Sequence, residues 1–495
     1  MDRLRVLRCC LMSLSVAGVG CKAQQAAPSL EPPVPLEVLD VEVLHNPMMA
    51  NDVSVLVTPS VPASLVVECR STVDSLEHHV VEVSTAPHHV VPLQGLLADS
   101  AYDCDVTVVD SATGESIDAS VAFDTDPLPV EIPVMVASHP TGEPERSIGG
   151  YTVFNHWTQD GDPKVQKLVM VDPDGAVRWY YVLEKEVSVG VEVNHAGGGL
   201  MLAAGGRGYN PSFIDLSGEL LYESPDPVSG GVYHHHAELL PSGDILSMAS
   251  ADNTVGGVVW EGFVLETRQA WTGALTWSWD SQRAVDAGTL GVGTSDDQDV
   301  YHANAVAPVT DDDGDAYYVN LRNDHQLLRI DAVTGAIDWK LGAGGDFQLV
   351  DMAGNPLDDE LWFYGQHDPE IDFPYVLVHD NGDGRPGDDY TRAIELRLDV
   401  EDRTATLQWS YEEPGWSEPI WGDVDALSNG NRLISQGHCY DCAGVDPKRR
   451  TSVIEVDPRD DAVVWRLDFF DERDGLYRAD HVDACAVFSN RRFCG

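Results

Sequence analysis

The chain has 495 residues, too many for one ordinary core, so two or three domains are expected. Its apolar share of 43% is that of a globular protein, but 82 acidic against 30 basic residues leave a formal charge of −52. Such a polyanion does not hold nucleic acid or an anionic membrane surface by its general field, which excludes both as partners; an anionic guest has to be held by local Arg and His.

Arg3, Arg5 and Arg8 precede a short apolar run over 9–20, which is too short to span a membrane as a helix. Gly20-Cys21 ends that run, so 1–21 reads as a signal peptide of lipoprotein type, with Cys21 carrying the lipid. The only membrane contact expected is through that lipid. Simple secretion is the alternative. Residues 22–36 are rich in Ala, Gln and Pro and read as a linker. Either route makes the protein exported, periplasmic or at the cell surface, where disulfides form. The cysteines beyond Cys21 fall into local pairs: Cys69 with Cys104, Cys439 with Cys442, and Cys485 with Cys494. Cys439-x-x-Cys442 is also the spacing of a redox motif or half a zinc site. No second such motif exists, so a loop disulfide is the reading.

Residues 37–127 are short apolar runs separated by turn signals, the pattern of a β-sandwich. Tyr102 stands two residues before Cys104, as in the tyrosine corner of immunoglobulin-like domains, which supports the Cys69–Cys104 pair.

From 141 to 495 one phrase recurs: an apolar strand ending in Asp, a turn usually holding Gly, then a strand with Trp. Examples are Asp172-Pro173-Asp174-Gly175 before Trp179, Asp331-Ala332-Val333-Thr334-Gly335 before Trp339, and Asp457 before Trp465. Six copies lie roughly 40 to 70 residues apart, in the range of propeller blades carrying loop insertions. The fold class is therefore all-β: a six-bladed β-propeller preceded by a small immunoglobulin-like β-sandwich. The strand-like stretches at 483–488 and 491–493 are expected to complete the blade begun near Gly150. The turn at 379–384 lacks the later Glu of a calcium loop and reads as solvated.

His195, His235, His302, His367 and His481 recur at blade-sized intervals, upstream of the inner hairpins. Equivalent positions converge on the propeller axis, so these imidazoles are expected to meet. His302 and Asn304 share a strand face. In Tyr233-His234-His235-His236 one parity faces inward: either His235, or His234 with His236. Arg322 sits on a returning strand aimed at the same axis. A histidine set can bind zinc or copper. Arg322 and Asn304 instead suit an anion, since Arg offers a planar fork to sulfate or phosphate oxygens. No metal and no cofactor are expected.

Several phrases now converge. Residues 234–243 read His-His-x-x-x-Leu-Leu-Pro-x-Gly; His302-x-Asn304, Leu321-Arg322-Asn323, Trp339-Lys340-Leu341-Gly342, Gly365-Gln366-His367-Asp368, Asp380-Asn381-Gly382 and Tyr390-Thr391-Arg392-Ala393 follow in order. Together they resemble the bacterial aryl-sulfate sulfotransferases over about 145–490. That resemblance implies ping-pong transfer of a sulfuryl group from an aryl sulfate to a phenol, without a nucleotide sulfate donor. His367 would be the nucleophile. His302, Asn304 and Arg322 would hold the sulfate oxygens, and His235 would bind the group or handle the phenolic proton. Where the family has His-His-Asp this chain has His234-His235-His236, so His234 joins the substrate-binding set and the orienting carboxylate is missing. Trp362, Phe363 and Tyr364 either wall an aromatic substrate or pack between blades. Two rival readings remain: a non-catalytic exported propeller that binds a ligand or protein, and a metal-dependent hydrolase.

Overall fold

The computed structural model describes residues 34–158, 166–183, 192–197, 199–255, 257–291, 299–387, 390–437, 451–470 and 474–494. The expected signal peptide, most of the linker, and the Cys439–Cys442 pair lie outside the described residues. The regular structure described is almost all strand, in sheets that are antiparallel except where Gln348–Val350 pairs in parallel with Thr404–Tyr411. The longest described helix, Ser281–Asp286, is 6 residues, and none is long and apolar enough to cross a membrane.

Two sheets come first. One runs Val38–His45, Val53–Pro59, His89–Leu93, and the other His78–Ala86, Ala63–Ser71, Ala101–Asp110, Ser116–Asp124. Every second residue of Val53–Pro59 and of Ala63–Ser71 is buried. Period-two alternation puts those side chains on one face, and Val53, Val55 and Val57 share a core with Leu65, Val67, Val106 and Val108 of the facing sheet. Tyr102 makes the expected corner: its hydroxyl accepts the Leu97 N–H at 2.8 Å. Cys69 and Cys104 are bonded. They are register partners on adjacent strands of one sheet, so the bridge clips neighbours rather than crossing the core between sheets as in antibody domains.

Beyond 134 the strands form six further sheets. Each is a meander whose first or last strand is innermost. In sheet order the innermost strands are Ala479–Val482, Glu192–Gly197, Tyr233–Leu239, Ala303–Asp311, His367–Asp372 and Asp423–Ala426. Inner strands of successive sheets pack on one another, and the sixth sheet packs back on Ala479–Val482 of the first. The recurring phrase explains both the turns and this packing. Asp172 Oδ1 accepts the N–H groups of Asp174 and Ala176, both at 2.9 Å, and Asp215 Oδ1 those of Ser217 and Glu219, the local bonding that favours Asp in turns. Three indole N–H groups then reach the next sheet's turn, while those of Trp179 and Trp339 are buried without a partner. Trp279 donates to Gly335 O, Trp409 to Asp461 Oδ1 at 2.9 Å, and Trp465 of the sixth sheet to Pro173 O of the first at 2.8 Å.

Closure differs from expectation. Residues 484–487 and 491–494 are helical turns, not strands, because Asp483 caps the first by accepting Cys485 N–H. The first sheet is completed instead by Asp474–Gly475 and Ala479–Val482, which pair with Tyr151–Thr158. Met135–Ser138, ahead of the expected boundary at 141, pairs with the outer strand of the sixth sheet. Cys485 is disulfide-bonded, and the Cys494 side chain lies outside the described residues.

The opening pair of sheets is locked to the rest. Arg178 of the first of the six sheets donates to both Glu77 oxygens, at 2.5 and 3.1 Å, and to Gly95 O, while pairing with Asp172 at 2.6 Å. Glu77 also accepts from Asn490 and bonds His79 Nε2 at 2.7 Å. All four charged or titratable groups are buried.

Candidate active site

Four of the six inner strands carry an irregularity, three at the start and Glu192–Gly197 at its end. Register slips between His195 and Gly197, Tyr233 and Ala237, Ala303 and Ala305, and His367 and Glu370. A bulge re-aims side chains at the end of a ladder. Here it breaks the parity expected for the triple histidine. His235 takes a left-handed backbone, φ 62°, and its ring lies 4.9 Å from that of His302, itself at φ 46°. His234 Nδ1 bonds His235 Nδ1 at 2.8 Å. His236 turns elsewhere, to Arg478 Nη1 at 2.5 Å. So His234 and His235 enter one pocket together, which neither parity allowed.

His367 completes the group. Its ring is buried, and its Nδ1 lies 2.8 Å from Asn381 Oδ1. Asn381 Nδ2 donates to the carbonyls of Glu418 and Trp421, both at 2.8 Å. That commits its amide nitrogen and leaves Oδ1, an acceptor only, towards the imidazole. His367 Nδ1 must then carry the proton, and Nε2 holds the lone pair. The Trp421 N–H approaches Nε2 at 3.4 Å. Gly365 sets this segment's approach: at φ 58° its Cβ would lie 2.8 Å from Asp383 Cβ, so a side chain there is excluded.

Charge and burial keep these imidazoles neutral. Burial pushes His367 well below the ordinary histidine range, and the Arg322 guanidinium adds to it. Burial does the same to His235, with His234, His302, His367 and Arg478 as like-charged neighbours. Burial takes His234 down to about 3. His302 is held differently: Asp299 Oδ2 lies 2.7 Å from its Nδ1, and Asp299 Oδ1 accepts its backbone N–H at 3.0 Å. Burial works to raise the Asp299 carboxyl, but these bonds prevail and hold it below its ordinary value. An orienting carboxylate is therefore present, upstream of His302 rather than after the histidine pair.

Arg322 follows the strand Gly314–Leu321. Its backbone N–H donates to His302 O, and its Nη2 to Asp383 Oδ2 at 2.5 Å and Pro419 O at 2.9 Å. Its Nε is buried without a partner. Asn304 is fully buried and committed: its Nδ2 donates to Gln366 O at 3.0 Å, and its Oδ1 accepts from Asn320 at 2.6 Å. It thus acts on the residue before His367. Asp380, expected in a solvated turn, is buried and paired with Arg385 and Arg392; folding the turn inward is what delivers Asn381 to His367. Trp362, Phe363 and Tyr364 belong to the hydrophobic core. The aromatic rings beside the histidines are Tyr477, 6.4 Å from His235, and Trp421, 6.4 Å from Tyr477. His481 bonds Gly149 O at the seam of the first sheet, and His195 stands apart from the cluster.

Asn381, Asp299, Trp421, Tyr477 and Arg478 were not assigned roles from sequence. Asn381 lay in a quoted phrase; Asp299 precedes His302 by three residues; the others follow no repeat. Among the described residues no three His, Cys, Asp or Glu side chains converge to hold a metal ion.

No curated protein matches the chain. Among solved structures it is similar to the hydrazine synthase of Kuenenia stuttgartiensis, with 13% identity and TM-score 0.32 over 74% of this chain and 91% of that one. It is also similar to a variant of the Synechocystis apocarotenoid oxygenase, with 11% identity and TM-score 0.33 over 68% and 81%. The arylsulfotransferase family model matches residues 143–478, which include every histidine of the cluster. The chain therefore belongs to the arylsulfotransferase family and is a sulfotransferase.

Proposed function

We propose that the protein moves a sulfuryl group from an aryl sulfate to a phenol by a ping-pong route through His367, with no nucleotide sulfate donor. The observation that carries this is the fixed tautomer of a buried, neutral His367, whose unprotonated Nε2 is approached by the Trp421 N–H at 3.4 Å, with Arg322 and His302 close enough to act on the ring's charge. Nucleophilic catalysis needs such an unprotonated, oriented nitrogen. In the first half-reaction Nε2 attacks sulfur; the S–N bond forms as the S–O bond to the aryl group breaks, and the phenolate leaves with the bonding pair. His302, held by Asp299, supplies the phenolic proton, and in the second half-reaction takes one from the acceptor phenol as its oxygen attacks sulfur; the new S–O bond forms as the S–N bond breaks, and the bonding pair returns to Nε2. The Arg322 guanidinium offsets charge on the sulfuryl oxygens, with His234 and His235 lining the group. Asn304 acts as a positioning residue through Gln366.

The six later sheets read as blades of a six-bladed propeller, supported by their cyclic packing and the Trp465–Pro173 bond. The first two read as an immunoglobulin-like sandwich over 37–127. Residues 1–21 remain an export signal and 22–36 a linker, with a periplasmic or cell-surface lipoprotein as the product; the oxidised Cys69–Cys104 pair supports an oxidising compartment.

Mass spectrometry after brief exposure to an aryl sulfate tests the mechanism. A sulfuryl adduct on the peptide containing His367 is expected in the wild type and none in His367→Asn, which should also lose transfer from a chromogenic aryl sulfate to phenol by at least about 1,000-fold while keeping its circular dichroism. Full activity in that variant removes His367 from the mechanism.

A further inference from the structure

A second cavity, of about 450 Å³, shares none of His234, His235, His302, His367 or Arg322. Four inner strands supply its carboxylates: Glu238, Asp368, Glu370, Asp423, Asp425 and Asp480. Asp423 and Asp425 are two apart on a strand, so they present to one face; Asp368 and Glu370 lie at the register slip of their strand, and both line the cavity. Arg478 is the one Lys or Arg in the lining, and its Nε is already 2.9 Å from Asp368 Oδ2.

The carboxylates are more than a solvated acidic patch. Asp423 is 4% exposed, and its Oδ1 is buried with no hydrogen-bond partner; Asp425 Oδ2 is likewise buried and unpartnered. Buried carboxylate oxygens normally find donors, because leaving them bare carries a large desolvation cost. Asp423 also shares a hydrogen bond with Asp368, which two ionised carboxylates cannot do. Burial and mutual repulsion push Asp423 and Asp425 well above the carboxylate range. Asp423 and Asp425 thus lack the donors and cations that would let them ionise, and a cationic guest would supply both.

Size and donor placement choose the guest. The volume lies within the roughly 300–1,000 Å³ range of small-molecule pockets. No three of the acids converge on one point, so the chamber is not shaped for an ion coordinated by three protein carboxylates. We propose that this chamber binds a small organic cation carrying two or more ammonium groups, with Asp423 and Asp425 accepting from one of them. Spread carboxylates match N–H donors set several ångströms apart, and each ammonium brings the donors the bare oxygens lack.

Calorimetry on the full chain at fixed ionic strength, with putrescine, calcium chloride and butane-1,4-diol as probes, tests this. Putrescine should bind saturably, calcium should not displace it, and the diol should give no heat. Asp423→Asn with Asp425→Asn should weaken putrescine binding by on the order of tenfold or more. Glu238→Gln, from a different strand, provides an independent reading and should weaken it several-fold. No saturable heat from putrescine, displacement by calcium at equal concentration, or unchanged affinity in both variants would overturn the proposal. The sulfuryl adduct on His367 is unaffected by any of these outcomes.

Discussion

Backbone strain occurs at and beside the histidine cluster. His235, His302, Asp368 and Trp421 all have φ between 35° and 68°, a region that costs non-glycine residues of order 1–3 kcal/mol each. Surrounding bonds hold two of them, Asp299 on His302 and Arg478 on Asp368, while Asn381 orients His367. Asn381 is the residue whose removal separates orientation from binding. Asn381→Ala leaves the Nδ1 proton without its acceptor and frees the other tautomer. Steady-state kinetics should show kcat lowered by on the order of 100-fold with KM little changed; an unaltered kcat would mean that Asn381 does not set the tautomer. The pH profile follows from the same geometry. His367 lies well below 6.5 in the folded protein, so Nε2 stays unprotonated through the ordinary histidine range. The acid limb of kcat/KM attributable to it should fall well below pH 6.5, and a limb at or above that value contradicts a buried neutral nucleophile.

At the scale of elements, two kinds of bond decide how sheets are joined. Three indole donors link neighbouring sheets, and Trp465 makes the link that joins last to first. Trp465→Phe keeps an aromatic ring, though a smaller one, removes that donor and leaves the Pro173 carbonyl without it. It should cost about 1–3 kcal/mol in chemical denaturation, read against the wild-type chain. The second kind is the buried network of Arg178, Glu77, Asp172 and His79 between the opening sheets and the rest. Burial works to raise the Glu77 carboxyl, but its bonds to His79 and Arg178 outweigh that and hold it at about 2, below its ordinary 4.5. Its stabilising contribution is therefore complete above pH 4.5 and is lost as pH falls towards 2. Glu77→Gln should lower the midpoint of thermal unfolding at pH 7, and the gap from wild type should shrink over that acid window. Arg178→Ala is harsher, since it strands two buried carboxylates, at about 3–5 kcal/mol.

Across the whole molecule, opposing proton linkages shape stability. His234, His235 and His367 are lowered in the folded state. Below pH 6.5 the unfolded chain takes up protons that the folded one refuses, so these residues lower stability in acid. Asp423 and Asp425 act in the other direction. Their folded values are raised above 3.8, so the folded chain holds protons that the unfolded one releases, and stability falls as pH rises through the raised values. Replacing both with Asn should raise the thermal midpoint at pH 8 in amine-free buffer, with the gain disappearing near pH 4. A variant that melts lower at pH 8 would show that these carboxylates are compensated within the fold.

What was legible in the sequence is what local physics dictates. Period-two burial in Val53–Pro59, the Asp172 and Asp331 turns, and the Trp that follows each are nearest-neighbour features. They announce sheets and their repetition, and repetition placed His235 and His367 on inner strands and His302 directly before one. Side-chain direction was not legible, because bulges at Tyr233–Ala237 and His367–Glu370 cancel the parity from which direction would be read. Partners across the chain were not legible either. Asn381 reaches His367 only because Asp380 finds Arg385 and Arg392 and draws the turn inward. The seam closes through Ala479–Val482, not through the residues that follow, because Asp483 caps a helical turn. By itself, then, the sequence determined the strands, the turns and the inventory of histidines. Tertiary structure alone decided which nitrogen of His367 is unprotonated, which carboxylate steadies His302, and where the buried acids gather. Each of those depends on contacts between residues far apart in the chain, which no local pattern encodes.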